Sequence, residues 1–235
     1  TFSDFNQILP VWDNGSYAFN DSNASHLYLW LQDRAGNIIG YGQNLYPNFQ
    51  QGDGTASNPF LISSASQLQA IGDNASSLSA HYKLTSDIDL SGINWTPIGT
   101  TSNPFTGSLI NNFDPNSSGP PPVIRNLSIN ATTPNQGLFG YTQNATFKNV
   151  RIDNFTIIST SNNVGGLAGY AEHSNFEYVA ASSVKANGTS YIGGMIGKLK
   201  DSTMHWGQVS VDNLSGNSYL GGFSGWVDNS TLSNL

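Results

Sequence analysis

Two carboxylates and two histidines lie near one another in the C-terminal half of the sequence, and they are the side chains best suited to chemistry. Glu172, His173 and Glu177 follow one another closely, and His205 comes further along the chain. Two carboxyl groups about 5–9 Å apart could act as acid and base on a glycosidic bond. Alternatively, Glu172 pairs with Lys200 and Glu177 with His205 across neighbouring strands. We favour the structural pairing and expect no catalytic residue and no enzyme.

Three aspartates raise the question of a metal. Ca²⁺ takes six to eight oxygen ligands, and Asp87 and Asp89 could supply some of them together with Asp53 or nearby carbonyls. No Asp-rich pattern repeats, however, and Asp side chains commonly cap turns by accepting hydrogen bonds from backbone N–H groups. We therefore expect turn caps, no metal ligands and no cofactor, with Ca²⁺ as the alternative.

The composition excludes several classes of partner. The chain has 235 residues, a formal net charge of −7 and a pI near 4.7, which argues against nucleic acid and against anionic membranes. It has no cysteine, so there is no disulfide framework. No run of about 18 apolar residues is present, so we expect no membrane span in this segment.

Four nearly identical phrases organise the second half of the chain. They are bounded by glycines, and the closing glycines step by 29, 28 and 28 residues. The eight glycines of this repeat are Gly137, Gly140, Gly166, Gly169, Gly194, Gly197, Gly222 and Gly225. A fixed period of this length is typical of a solenoid, in which each turn, here called a coil, buries its apolar face only on its neighbours.

The composition of each repeat favours strands over helices. Short β-branched or aromatic runs alternate with clusters of Gly, Asn, Ser and Thr, as in residues 149–158. The sequence therefore predicts an all-β fold, a parallel β-helix with coils of about 28 residues and about three strands per coil. Strands of successive coils would pair in parallel, about 4.8 Å apart.

Residues one period apart must then stack in columns. Phe147, Phe176, Met204 and Leu232 form one apolar column, and Leu138, Leu167, Met195 and Phe223 form another. Charges alternate along the column Gln143, Glu172, Lys200 and Asp228, which we place on the outside. An aromatic column with one cation consists of Tyr141, Tyr170, Lys198 and Trp226. If it faced outward it could stack on sugars; we favour an internal ladder that fills the core.

Residues 1–50 do not show the period. Two β-type runs, 27–31 and 37–41, flank a turn at 33–36 and predict a hairpin. We expect this segment to cap the open end of the solenoid, or alternatively to pair with a neighbouring subunit. Residues 51–235 then form the β-helix, with one short helix at about 65–72, a loop at 116–122 and coils that we expect to continue in a longer chain.

An ordered set of short motifs resembles the GLUG-repeat proteins over about residues 52–235. The residues that carry the resemblance are Gly52-Asp53-Gly54, Asp87-Ile88-Asp89-Leu90-Ser91-Gly92, Trp95-Thr96-Pro97-Ile98-Gly99 and Gly137-Leu138-Phe139-Gly140. Met195 and Phe223 depart from the family's leucine. The resemblance implies a right-handed parallel β-helix in large secreted or surface-anchored microbial proteins, many of them adhesin-like. It implies no catalytic residues.

Asn-x-Ser/Thr sequences are more frequent than chance would give. They are candidate glycosylation sites if the protein is exported, because such sites need exposed turns. The candidates are Asn14, Asn20, Asn23, Asn74, Asn94, Asn116, Asn126, Asn130, Asn144, Asn154, Asn187, Asn213 and Asn229.

Taken together, these patterns predict an extracellular or cell-surface protein without catalytic activity. We expect an adhesin or structural stalk that attaches to host or neighbouring-cell glycans or proteins. Two other classes stay open. A subunit of a filament or surface layer would self-associate, and a β-helix polysaccharide lyase or hydrolase would carry a groove with converging carboxylates.

Overall fold

The computed structural model describes residues 27–29, 41–43, 49, 51–111 and 121–235. Within the N-terminal segment, strands β1 (Leu27–Leu29) and β2 (Tyr41–Gln43) pair antiparallel, as the hairpin prediction requires. The rest of that segment and most of the predicted loop at 116–122 lie outside the described residues. Whether residues 1–50 cap the coil or pair with another subunit therefore stays a prediction.

Two short helices precede the regular coils in the described part of the chain. Helix α1 (Ala65–Ala70) is the predicted one, and the side chain of its N-cap Ser64 accepts a hydrogen bond from the Gln67 backbone N–H. Helix α2 (Ala75–Ser79) was not predicted, although Asn74 and Ser77 form a reciprocal capping box there. The Asn-x-x-Ser sequence was the available signal.

The solenoid consists of short strands that fall into coils. The irregular N-terminal coils contain β3 to β8: Phe60–Ile62, His81–Leu84, Ile88–Asp89, Ser108–Ile110, Val123–Arg125 and Ser128–Ala131. The next coil contains β9 to β13: Phe139–Gln143, Thr146–Lys148, Arg151–Asp153, Thr156–Ser159 and Val164–Gly165. The following two coils contain β14 to β19: Ala168–Glu172, Asn175–Asn187, Ser190–Gly193, Ile196–Lys200, Thr203–Ser215 and Ser218–Gly221. The last described strands are β20 (Ser224–Asp228) and β21 (Thr231–Ser233).

The strands of the solenoid pair in parallel and form three sheets, which confirms the β-helix prediction. One sheet has the order β20-β17-β14-β9, another β13-β16-β19, and the largest is built around the long strands β15 and β18. Phe147 pairs with Phe176, Phe176 with Met204 and Met204 with Leu232. Residues one repeat apart in the sequence are thus register partners in the sheets. The coil of β14, β15 and β16 has the three strands expected.

The core is a continuous apolar column. It extends beyond the repeat, because Leu109 pairs with Phe147, and Tyr82 pairs with both Leu109 and Phe60. All of these side chains are buried, and the Phe147 and Phe176 rings stack 5.0 Å apart and nearly parallel. Burying each such side chain contributes about 1.5–3 kcal/mol.

The corners between strands are left-handed bends that recur at the repeat spacing. Asparagine, which tolerates a positive φ better than most residues, occupies many of them. Side-chain amides link the corners of adjacent coils: Nδ2 of Asn154 donates to Asn126, Nδ2 of Asn163 to Asn135, and Nδ2 of Asn229 to Asp201, at 2.5–2.8 Å. Part of the asparagine content therefore serves the corners.

Candidate binding face on the four-stranded sheet

The aromatic column lies on the outward face of the four-stranded sheet β9-β14-β17-β20. Its members pair in register: Tyr141 with Tyr170, Tyr170 with Lys198, and Lys198 with Trp226. Side chains alternate between the two faces of a strand. Ala171 and Leu199 are fully buried and therefore mark the inner face, so the neighbouring Tyr170 and Lys198 point outward.

The prediction of an internal aromatic ladder is therefore wrong. Tyr170, Lys198 and Trp226 are only half-buried, and they share a face with Glu172 and Lys200. Tyr141 is 7% exposed, but its hydroxyl donates a hydrogen bond to Glu172 of the outer charge column. The rings that fill the core belong instead to Phe105, Phe139, Phe147 and Phe176.

One lysine is held between two aromatic rings of this face. The Lys198 ammonium lies 4.9 Å from the centre of the Tyr170 ring and 4.5 Å from that of Trp226. Both distances are within the range of a cation–π interaction. Tyr191 and Tyr219 adjoin this face from strands β16 and β19 of the three-stranded sheet. Their rings stack 4.9 Å apart, and Tyr191 approaches Trp226. We call the residues Tyr141, Tyr170, Lys198, Trp226, Tyr191 and Tyr219 the aromatic row.

Beside the aromatic row, Glu172 is the centre of a charged network. Its carboxylate accepts a hydrogen bond from the Tyr141 hydroxyl at 2.6 Å and from Lys200 Nζ at 2.5 Å, which confirms the predicted pairing with Lys200. These two hydrogen bonds, led by that from Lys200, lower the pKa of Glu172, and the carboxylate raises the pKa of Lys200. Burial, and then the hydrogen bond to Glu172, raise the pKa of Tyr141.

This network does not suit a metal site or a general acid. Ligand atoms of Glu172, His173 and Asp201 lie within 4.8 Å of one another, but Lys200 Nζ is only 3.5 Å from Asp201 and also bonds Glu172. The lysine thus supplies the positive charge that a metal ion would bring. A carboxyl group with a lowered pKa is ionised at neutral pH and is a poor general acid.

The second predicted pairing is only partly correct. Glu177 and His205 are register neighbours, yet Glu177 forms its ion pair with Lys148 at 3.0 Å. His205 instead bonds the Ser233 hydroxyl. Glu172 and Glu177 lie in different sheets and each is paired with a lysine, so they do not converge on one position.

The three aspartates considered for Ca²⁺ each accept a backbone hydrogen bond. Asp53 accepts from the Thr55 N–H, Asp87 from the Val123 N–H and Asp89 from the Ser91 N–H. Asp87 also pairs with Arg125 at 2.7 Å. The local hydrogen bonds of Asp53 and Asp89 are the turn-capping role that the sequence favoured, whereas Asp87 bonds the first residue of the neighbouring strand β7.

The glycosylation candidates within the described residues are mostly exposed. Asn126 is half-buried, and the exposed ones are Asn74, Asn94, Asn130, Asn144, Asn154, Asn187, Asn213 and Asn229. Asn154 and Asn229 already use Nδ2, the atom that would carry a glycan, in the corner hydrogen bonds. Asn14, Asn20, Asn23 and Asn116 lie outside the described residues. Glycosylation stays a prediction.

We predict that Glu172→Gln destabilises the protein by about 1 kcal/mol at pH 7, because Lys200 and Tyr141 lose a charged acceptor. The folded-state pKa of Glu172 is lowered, so its contribution is present above the unfolded-state value. That contribution is lost as the pH falls through the folded-state pKa. Urea unfolding at several pH values should therefore show the wild-type and variant curves converging in acid.

Glu177→Gln is the matched control for that experiment, since its ion pair with Lys148 is more exposed. Glu177→Gln should lower the free energy of unfolding by less than Glu172→Gln does wherever the carboxylates are ionised. A Glu172→Gln difference that persisted unchanged in acid would contradict the charge-assisted role.

Comparisons with known proteins give two partial relatives, and no protein-family model matches the chain. Halomucin of Haloquadratum walsbyi is 36% identical over 129 residues, which is 50% of this chain and 1% of that protein. A "Putative Gly-rich membrane protein" of Evansella cellulosilytica is 33% identical over 131 residues, 52% of this chain and 14% of that protein. This chain thus spans a small part of the length of each relative.

One solved structure matches the chain at low similarity. It is titled a "putative immunoglobulin A1 protease" from Bacteroides ovatus, with 17% identity, a TM-score of 0.33 and coverage of 79% of this chain and 78% of that one. Within the described residues, no helix is both long and apolar enough to cross a bilayer.

Proposed function

We propose that this chain is a GLUG-type β-helix segment of an exported surface protein, a rigid adhesive stalk that attaches to glycans through the aromatic row. The names of the two partial relatives, a halomucin and a membrane protein, support the extracellular or cell-surface location. Neither relative is named as an enzyme, which supports attachment over catalysis.

The aromatic row is the observation that carries the proposal. It spans four coils on an outward face, and Tyr219 is 56% exposed. Aromatic side chains offer a large flat apolar surface with a polar edge, suited to the C–H face of a sugar ring beside its hydroxyl groups. Lys198 and the Glu172 network lie alongside and supply hydrogen-bonding partners for those hydroxyls.

Glycan-array binding with the variant Trp226→Ala tests the proposal. We expect the wild-type chain to bind a defined set of glycans, and the variant to bind them roughly 10-fold more weakly, as for the loss of a large aromatic contact. Val227→Ala is the matched control, because Val227 is the next residue of β20 and belongs to the opposite face. Equal affinities of the wild type and the Trp226 variant would refute the role of the row.

Self-association into a filament or surface layer stays a second candidate. Leu220 and Val227 on the last described coil are 47% and 42% exposed, whereas Ile192 and Leu199, their register neighbours one coil earlier, are fully buried. A further coil would bury these side chains and pair the strand edges, whether it belonged to the same chain or to a second copy. Negative-stain microscopy separates the two candidates, since self-association predicts particles that lengthen with protein concentration.

A further inference from the structure

A shallow polar trough runs across four strands of the largest sheet, away from the aromatic row. Its volume is about 280 Å³, and it follows two outward columns of β7, β11, β15 and β18. One column consists of Val123, Arg151, Ala180 and Gln208, and the other of Arg125, Asp153, Ser182 and Ser210. Small side chains in β15 leave room beside the two arginines. We call this surface the arginine trough.

The charged groups of the trough differ in how far they are already paired. Arg125 forms an ion pair with Asp87 at 2.7 Å, and Asp153 accepts a hydrogen bond from the Ser182 hydroxyl at 2.6 Å. Arg151 donates only to the Pro121 carbonyl, at 3.3 Å, and has no carboxylate partner among the described residues. Within the described residues, its guanidinium thus keeps N–H groups for the paired hydrogen bonds that suit a carboxylate.

Two exposed aromatic residues lie close in the chain to residues of the trough, although they do not line it. Tyr178 and Trp206 precede Ala180 and Gln208 by two residues, and their rings stack 5.9 Å apart at 7°. They are 47% and 49% exposed. Both occupy left-handed corners, with φ of 53° and 56°, where the preceding coil has Asn149. This conformation is less favourable for bulky residues than for asparagine.

We infer that the arginine trough binds an acidic polysaccharide by the carboxylate of a uronic-acid residue. Arg151 pairs with the carboxylate, Gln208 and Ser210 bond the sugar hydroxyls, and the Tyr178–Trp206 pair packs against an adjoining ring. The inference rests on the proposed glycan attachment and gives it a ligand class. Because the chain carries a net charge of −7, general attraction to a polyanion is disfavoured and binding must come from local contacts.

Affinity electrophoresis of the full chain tests this inference with two polymers that differ only in the carboxylate. The probes are polygalacturonate and its fully methyl-esterified form. We expect polygalacturonate to bind at least roughly 10-fold more tightly, the effect of one charged hydrogen-bonded pair. Arg151→Gln should remove that preference. Lys185→Gln, which removes an exposed cation from β15 of the same sheet, should retain it.

Three outcomes would overturn the inference. They are equal binding of both polymers, binding of neither, or equal losses of affinity in the Arg151 and Lys185 variants.

The variant Trp226→Ala separates this inference from the proposed function. If the wild-type chain binds both polymers equally and Trp226→Ala abolishes that binding, the trough is excluded while glycan attachment stands. If acid binding depends on Arg151 and is unchanged in Trp226→Ala, the trough is supported and the aromatic row is not.

Discussion

Replacing Phe176 with alanine is expected to lower the free energy of unfolding by about 3–5 kcal/mol. Phe176 is fully buried, its ring stacks on Phe147 5.0 Å away, and Met204 lies over it in the next coil. Truncation therefore opens a cavity between two coils that the rigid backbone ladders keep apart. Urea unfolding followed by circular dichroism measures the loss.

Tyr178→Ala is the control for Phe176→Ala, because it removes an aromatic ring two residues along the same strand. That ring is 47% exposed, and its loss should cost under about 1 kcal/mol. Since each coil contacts only its neighbours, hydrogen exchange in the Phe176 variant should accelerate first in strands β17 to β21. Comparable losses in the two variants would contradict the assignment of Phe176 to the interior.

The repeat made the register of the later coils predictable from the sequence. Closing glycines that step by 28 or 29 residues force Phe147, Phe176 and Met204 into one column, and the structure has that pairing. The pairing of Glu172 with Lys200 followed from the same spacing. A constant period determines which residues are neighbours even where the individual strands are short.

The earlier coils could not be found in this way, because their spacing is irregular. Phe60, Tyr82 and Leu109 belong to the same core column, yet two helices and variable loops separate them. No period in the sequence connects these residues to Phe147. Their placement depends on parallel pairing and on burial of the whole column, which only the structure shows.

The orientation of the aromatic row was available from the sequence but was missed. Tyr170 precedes Glu172 by two residues, and Lys198 precedes Lys200 by two. Residues two apart in a strand share a face. Because the charge column was placed on the outer face, the aromatic column had to lie on the outer face as well. The lysine within the aromatic column also indicated an outward position. The preference for a core ladder rested on hydrophobicity alone.

The left-handed corners explain why side-chain identity changes between coils without a change of fold. Asn149 in one coil becomes Tyr178 and then Trp206, and all three keep a positive φ. The backbone bend is thus maintained by the ladders on either side rather than by the residue at the corner. Exposed corners can therefore change side chain and acquire binding surface while the register persists.

Gly194→Ala is expected to destabilise the protein by about 3 kcal/mol. This value is at the upper end of the range for overpacking, because the atom that the new Cβ would meet belongs to the backbone and cannot rotate away. A Cβ on Gly194 would lie 2.4 Å from the Gly222 carbonyl oxygen, which accepts the Gly194 N–H hydrogen bond at 2.8 Å. The φ of Gly194 is not positive. The repeat glycine is therefore required for space between coils rather than for conformational freedom.

Gly222→Ala is a control from the same position of the last repeat. Its Cβ would meet nothing nearer than 3.7 Å, so the change should be neutral or slightly stabilising through the lower entropy of the unfolded chain. Thermal unfolding of both variants at low protein concentration makes the comparison. Equal losses of stability in the two variants would mean that the spacing between coils is not the reason why position 194 excludes a side chain. If Gly222→Ala became destabilising only at high concentration, the affected contact would be one with a second copy stacked on the last coil.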